Sequence, residues 1–318
     1  MLTDALCHLG ARLSHLLPLR LLKRQAFLAA PVHQMREKIR LRFQRPARDA
    51  SSMVQFTNST RRTLLALAGG VAAALVLASR SAASAKPSKP KRILVVTLTK
   101  GFHHDSIRVA QNTLRQLAEK QDWEMDLADT DSELSERITP EGLKPIDLII
   151  FANTTGELPI ADQNKKIFME WVRAGHGFVG MHAATDTLYQ WDAYGKMIGG
   201  YFDSHPWFQK VRLRIEDPNF PGMRPFAEDP EIEDEIYQFR NWSRNDKHVI
   251  LSIDNTSIDT SKGKREDRDY AVAWTRMEGD GRVFYTSLGH RQQVWNDPRF
   301  QEHILGGIRW AMGLATRG

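Results

Sequence analysis

Cysteine is almost missing from this chain: the single one is Cys7, and none follows it. That excludes a disulfide framework, a thiolate metal site and a cysteine nucleophile from everything beyond residue 7. Internal repeats are also missing. So is any apolar run long enough to span a bilayer: the longest, from Leu64 to Ala78, is about 15 residues where roughly 20 are needed. A third scarcity appears once the charges are located. The chain as a whole is basic, with 44 Lys+Arg against 38 Asp+Glu, but residues 1–85 hold 13 of the basic and only 3 of the acidic residues. The remainder is net negative and carries no basic stripe, which excludes nucleic acid as the expected partner.

The basic segment has its own logic. Arg61-Arg62 precedes the apolar run, and Ala83-Ser84-Ala85 follows it. A charged start, an apolar core and small residues at the end make a secretory signal peptide, and Thr60-Arg61-Arg62-Thr63-Leu64-Leu65 resembles a twin-arginine signal. The alternative is an uncleaved anchor. Met53 lies where such a signal would start, so 1–52 reads as an over-extended or disordered N-terminal segment and 53–85 as the signal. Residues 86–91 are a Lys/Pro linker, and 92–314 form one domain, large enough for a sizeable core. The expected location is periplasmic or secreted, with no stable membrane span after cleavage.

Within the domain, residues 92–99 (RILVVTLT) and 146–152 (IDLIIFA) are continuous apolar runs, the mark of strands buried on both faces. Asp105 or Ser106 can cap a helix running to about Gln121, and an amphipathic helix covers 161–174. Residues 123–128 read as a further strand. Strand and helix in alternation predict right-handed βαβ units on a parallel sheet. Residues 208–215 alternate apolar with basic, as a half-exposed strand does; 249–253 is a short strand. Residues 270–275 and 282–288, separated by Gly279-Asp280-Gly281, predict a β-hairpin. A helix over 298–312 closes the chain, and the polar stretch 254–269 reads as a mobile loop. The expected fold is a three-layer flavodoxin-like α/β arrangement, a mainly parallel sheet with helices on both faces and a late β-hairpin.

Gly177 to Asp186 (GFVGMHAATD) is the stretch with most chemical promise. A short apolar strand stops abruptly at His182, then a helix-competent run begins. This is the geometry of a nucleophile elbow, and the carboxyl ends of parallel strands are where open α/β sheets bind ligands. His104 and His290 also follow strands, and His205 follows the glycine-rich run 199–204. Three or four converging imidazoles with a carboxylate would suit Zn²⁺ or a similar divalent metal, although no compact ligand spacing is present. The candidate carboxylates are Asp105, Asp186, Asp203 and Glu235. His176, His248 and His303 read as surface or packing residues. Trp171 and Trp310 sit at core spacing, whereas Trp191, Trp207, Trp242 and Trp295 lie in loop-like contexts where an aromatic face could receive a sugar ring.

Five segments taken together carry a resemblance: 100–107 (KGFHHDSI), 177–184, 199–206 (GGYFDSHP), 234–237 (DEIY) and 281–290 (GRVFYTSLGH). In this order they resemble the trehalose-utilisation, or ThuA-like, family over nearly all of 92–313. The resemblance implies a fold similar to class I glutamine amidotransferases. It also implies carbohydrate metabolism, of trehalose or related disaccharides including their 3-keto forms. Amidotransferases place a cysteine at the elbow, where this chain has Met181-His182. Their late histidine corresponds to His290, and the carboxylate expected two residues on is Gln292. Amidotransferase chemistry is therefore excluded. The reading is an enzyme of unresolved class (isomerase, lyase or hydrolase) with His182 and His290 catalytic. His104, Asp105, His205, Glu235 and Trp207 would bind the carbohydrate, and His104, His182, His205 and His290 would hold a metal if there is one. The alternative is a non-catalytic sugar-binding or accessory module of the same fold.

Overall fold

A computed structural model describes residues 89–316. The expectations for 1–52 and 53–85, and residues 86–88 of the 86–91 linker, fall outside those residues. The elements run β1 (Arg92–Val96), α1 (Ile107–Lys120), β2 (Glu124–Ala128), α2 (Asp131–Arg137), α3 (Pro140–Leu143), β3 (Leu148–Ala152), α4 (Asp162–Arg173) and β4 (Gly177–Met181). They continue α5 (Asp192–Ile198), β5 (Tyr201–Ile215), α6 (Arg224–Glu228), β6 (Glu231–Arg240), β7 (His248–Ile253), β8 (Ala271–Glu278), β9 (Gly281–Thr286), α7 (Gln292–Asn296) and α8 (Pro298–Ala311).

One sheet of nine strands, in the order β2-β1-β3-β4-β9-β8-β7-β5-β6, runs through the domain. Its pairings are parallel from β2 to β9 and antiparallel from β9 to β6. The expectation of a mainly parallel sheet is therefore wrong. The βαβ units supply only half of the sheet, because the second half of the chain returns through hairpins and long strands instead of crossover helices. The β8–β9 hairpin forms as its turn residues predict, with Glu278 opposite Gly281.

Helices cover both faces of the sheet. Alternate strand residues point to opposite faces, so Ile93, Val95, Leu148, Ile150 and Val179 pack with α1 and α8, while Leu94, Val96, Ile149, Phe151 and Phe178 pack with α4 and α5. β3 and β4 are buried along their whole length, as continuous apolar runs require.

Two further expectations change. The chain after His182 is a single 3-10 turn to Thr185, and the next α-helix waits until Asp192. Residues 254–269 are tied down: Asp254 and Asp259 cap successive short turns, and the Lys264 N–H donates to Gln238 Oε1. Among the described residues no helix is long and apolar enough to cross a membrane.

Candidate functional site

Three strand ends of the parallel half and one strand of the antiparallel half meet at a single point. His182 terminates β4 with a left-handed backbone, φ +49°, a conformation costly for a residue with a Cβ and held only where the surroundings enforce it. Here Tyr285 Oη donates to the His182 carbonyl at 2.7 Å, and the ring nitrogen Nδ1 lies 2.8 Å from the Ser287 carbonyl. A carbonyl only accepts, so the proton sits on Nδ1 and the Nε2 lone pair is free to face the other groups.

Around that Nε2 stand His104 Nε2 at 3.1 Å, Tyr237 Oη at 3.2 Å, His290 Nδ1 at 3.3 Å and Glu235 Oε2 at 3.6 Å. Glu235 Oε2 lies a further 3.1 Å from His290 Nδ1. Burial, reinforced by the neighbouring imidazoles, keeps His182 neutral far below the ordinary histidine range. It also lowers His104 to about 4. Burial would lower His290 as well, but the Glu235 carboxylate outweighs it and raises that ring.

The loop holding His290 is clamped from several sides. Asn153, at the end of β3, donates from Nδ2 to Ser106 Oγ and to the Gly289 carbonyl. Trp295 Nε1 and Ser106 Oγ donate to the same carbonyl. Ser106 occupies the N-cap position of α1 but caps nothing, because its hydroxyl is used in this network. Asp234, wholly buried, accepts from the Gly289 and Arg291 backbone N–H groups. Burial pushes its carboxyl up to about 6 against those donors. Gly289 takes φ +122° here, which only glycine adopts freely.

Four groups, His104, His182, Glu235 and His290, present ligand atoms all within 4.8 Å of one another. A tetrahedral ion with bonds of about 2.0–2.1 Å sets its ligand atoms roughly 3.3 Å apart; the separations given above bracket that edge. His104 Nδ1 is buried with no hydrogen-bond partner. Protein hydrogen bonds alone thus leave one nitrogen of this ring unsatisfied, in a place where buried polar atoms are almost always paired.

His205, expected beside the other three histidines, is not in that donor set; Glu235 is there instead. β5 begins at Tyr201, so His205 lies in a strand and not in a glycine-rich loop. Pro206 lacks the N–H a ladder needs, and the β5–β6 register shifts on either side of Ser204. The bulge leaves His205 half exposed at the mouth, with Nδ1 3.4 Å from Glu235 Oε1 and its ring stacked on Phe202.

Above the cluster is a cavity of about 350 Å³ lined by Phe102, His104, Asp186, Phe202, His205, Glu235, Tyr237 and His290. Asp105 is not among them. It is exposed, takes a hydrogen bond from Gln292 Nε2 at 3.0 Å, and borders a separate polar depression beside α1 with His103 and Arg108. Trp207 is also misplaced by the sequence reading: it is 1% exposed, donates from Nε1 to the Asp259 carbonyl and packs edge-on against Tyr270. The apolar alternation at Val211, Leu213 and Ile215, extended back two steps, already puts Trp207 on the core side. Trp295 and Trp242 are buried too.

Tyr237, Phe102 and Phe202 are site residues the sequence reading left without a role. Asp186, a candidate carboxylate, lines the cavity and accepts from Tyr189 Oη at 2.5 Å; burial raises its carboxyl above the usual range.

The family model for trehalose utilisation (ThuA) matches residues 92–311. The chain belongs to the ThuA family. Two solved ThuA-like proteins share its fold. The one from Bacteroides uniformis is 19% identical with a TM-score of 0.57, over 72% of this chain and 94% of that one. The one from Parabacteroides merdae is 19% identical with a TM-score of 0.56, over 72% of this chain and 93% of its own. A comparison with curated proteins returns no match. All five segments that carried the resemblance fall within the ThuA match, and the four cluster residues come from four of them.

Proposed function

We propose that this ThuA-family chain is a metal-dependent enzyme acting on a carbohydrate. The observation that carries the reading is the buried cluster of His104, His182, His290 and Glu235, with its ligand atoms within 4.8 Å of one another, beneath an open cavity. A divalent ion held there would act as a Lewis acid on a sugar carbonyl or hydroxyl oxygen.

The protein's own groups supply the rest. Neutral His104 and His182 offer lone pairs at pH 7, and the Ser287 carbonyl fixes the tautomer and tilt of His182, as outer partners do in ligand sets. Glu235 ties the deep cluster to His205 at the mouth. Asp186, with its raised carboxyl, and His205 face the same cavity and are placed to move a proton to or from the bound sugar. Phe102, Phe202 and Tyr237 wall the cavity with the aromatic faces that sugar rings pack against.

Calorimetric titration with Zn²⁺, Co²⁺ and Mn²⁺, alongside metal analysis of the isolated protein, tests the reading. One ion per chain is expected, lost in His182→Ala, bound about 100-fold more weakly in Glu235→Gln and kept in His176→Ala. No ion bound by the parent would refute it. Sugar binding without turnover by the metal-loaded protein would favour the non-catalytic module. Export belongs to the same proposal and rests on Arg61-Arg62 with the apolar run after it; fractionation of cells making the tagged full chain tests it.

A further inference from the structure

The carboxyl edge of the sheet has a second opening, apart from the histidine cluster. β1 and β2 run parallel; Thr97 to Thr99 follow the first and Asp129 follows the second. Between those strand ends and α1 lies a depression of about 770 Å³, larger than the cavity above the cluster. The carboxyl ends of parallel strands are where open α/β sheets take ligands.

One wall of this depression is a face of α1. Ala110, Leu114, Leu117 and Ala118 turn the apolar side of that helix to the core. Arg108, Asn112 and Arg115, at successive helical spacings of four and three, line the depression. Elsewhere Arg92, Arg173, Arg244 and Arg299 each pair with a carboxylate. The Arg108 guanidinium has no hydrogen-bond or ion-pair partner among the described residues. The Arg115 guanidinium has only the amide oxygen of Asn112, 3.1 Å from its Nη1, a bond that draws it back along the helix toward Arg108. The two carboxylates at the border are engaged by neutral amides: Asp105 accepts from Gln292 Nε2, and Asp129 accepts from Gln111 Nε2 at 3.4 Å.

We infer that this depression is a second small-molecule site, for a phosphomonoester that also carries hydroxyl groups. Such a phosphate holds about −1.5 to −2 charges at neutral pH, which suits two guanidinium groups; a single carboxylate would match only one. Guanidinium–phosphate contacts are charge-assisted and can be bidentate. Asp129 keeps lone pairs to accept from ligand hydroxyls. The described lining holds no aromatic ring except the His103 imidazole, so a nucleobase would lack a stacking platform, and a polyol phosphate fits better than a nucleotide. None of these residues belongs to the cluster, so the site does not depend on a bound ion.

The test is calorimetry on the full-length protein at low salt with glycerol 3-phosphate, ribose 5-phosphate, AMP and inorganic phosphate. One glycerol 3-phosphate or ribose 5-phosphate per chain is expected, bound more tightly than AMP or inorganic phosphate. Arg108→Gln and Arg115→Gln should each weaken it about tenfold, and the double variant should abolish it, with metal content and gel-filtration volume unchanged. Asp129→Asn should close the gap between the polyol phosphate and inorganic phosphate, and Arg309→Gln, on α8, should change nothing. A parent that binds neither polyol phosphate, or affinity undiminished in the single and double arginine variants, overturns the inference. Binding lost in folded His182→Ala overturns it too, by placing the phosphate on an ion in the cluster. Tighter binding of AMP overturns it in favour of a nucleotide.

Discussion

The two halves of the sheet deliver side chains to the site in different ways. In the parallel half the strands are short and buried on both faces, so chemistry can emerge only where a strand ends: His104 follows β1, His182 ends β4 and His290 follows β9. In the antiparallel half β5 and β6 are long and one face is open, so Glu235 and Tyr237 come from the middle of a strand. Strand ends give positions that loops must then fix, here by Asn153, Ser106 and Asp234. Mid-strand positions are fixed by the ladder itself. The cluster needs both, with three imidazoles from one half and the carboxylate from the other.

The largest expected effect tests whether the antiparallel half is structurally as deep as the parallel one. Trp207→Ala should cost about 3–5 kcal/mol, read by denaturant unfolding, with metal affinity retained in the folded fraction; loss of metal at undiminished stability would mean that Trp207 serves the site after all. Next are the paired variants His104→Ala and Glu235→Gln. Each should lower Zn²⁺ affinity by about 100-fold, the upper end of what losing even an outer partner costs. If calorimetry shows an unchanged affinity for Glu235→Gln alone, the antiparallel half only walls the cavity.

Asp234→Ala removes the acceptor for two backbone N–H groups in the His290 loop. It should cost about 2 kcal/mol by thermal unfolding, with metal affinity falling alongside. A stable variant with intact affinity would show that the loop needs no clamp.

The smallest effect at neutral pH belongs to His303, on α8 against Phe284 of β9. It is wholly buried among Phe226, Phe284 and Phe300, and neither ring nitrogen has a partner. Burial lowers it from 6.5 to about 3. The unfolded chain then binds a proton the folded one does not. Stability should fall as pH drops from about 6.5 toward 3, by about 1 kcal/mol per pH unit. His303→Leu should flatten that part of the pH–stability curve; an unchanged slope would show that other groups set the acid sensitivity.

Legibility followed the same divide. β1, β3 and β4 were readable because a strand buried on both faces must be apolar throughout. The hairpin was readable from Gly279-Asp280-Gly281. β6 was not: EIEDEIYQFR carries four acids and looks like surface, yet Asp234 and Glu235 are both buried, one clamping a loop and the other in the cluster. For His205 the sequence shows a histidine just after a glycine-rich run, but not how far a bulge carries it toward solvent. Asp105 is a carboxylate in the same 100–107 segment as His104, yet the two adjacent residues turn to different cavities.

By itself the sequence determined the strand and helix periods of the parallel half, the absence of a thiol nucleophile, and the short set of histidines and carboxylates that could do chemistry. Those follow from local pattern and residue type. Which of them meet was decided only by the tertiary structure. Residues 104, 182, 235 and 290 are brought together by the sheet order, and the direction of each side chain depends on strand register, a bulge and the left-handed turn at His182. A sequence records the order of residues, whereas the cluster depends on distances between segments far apart in that order.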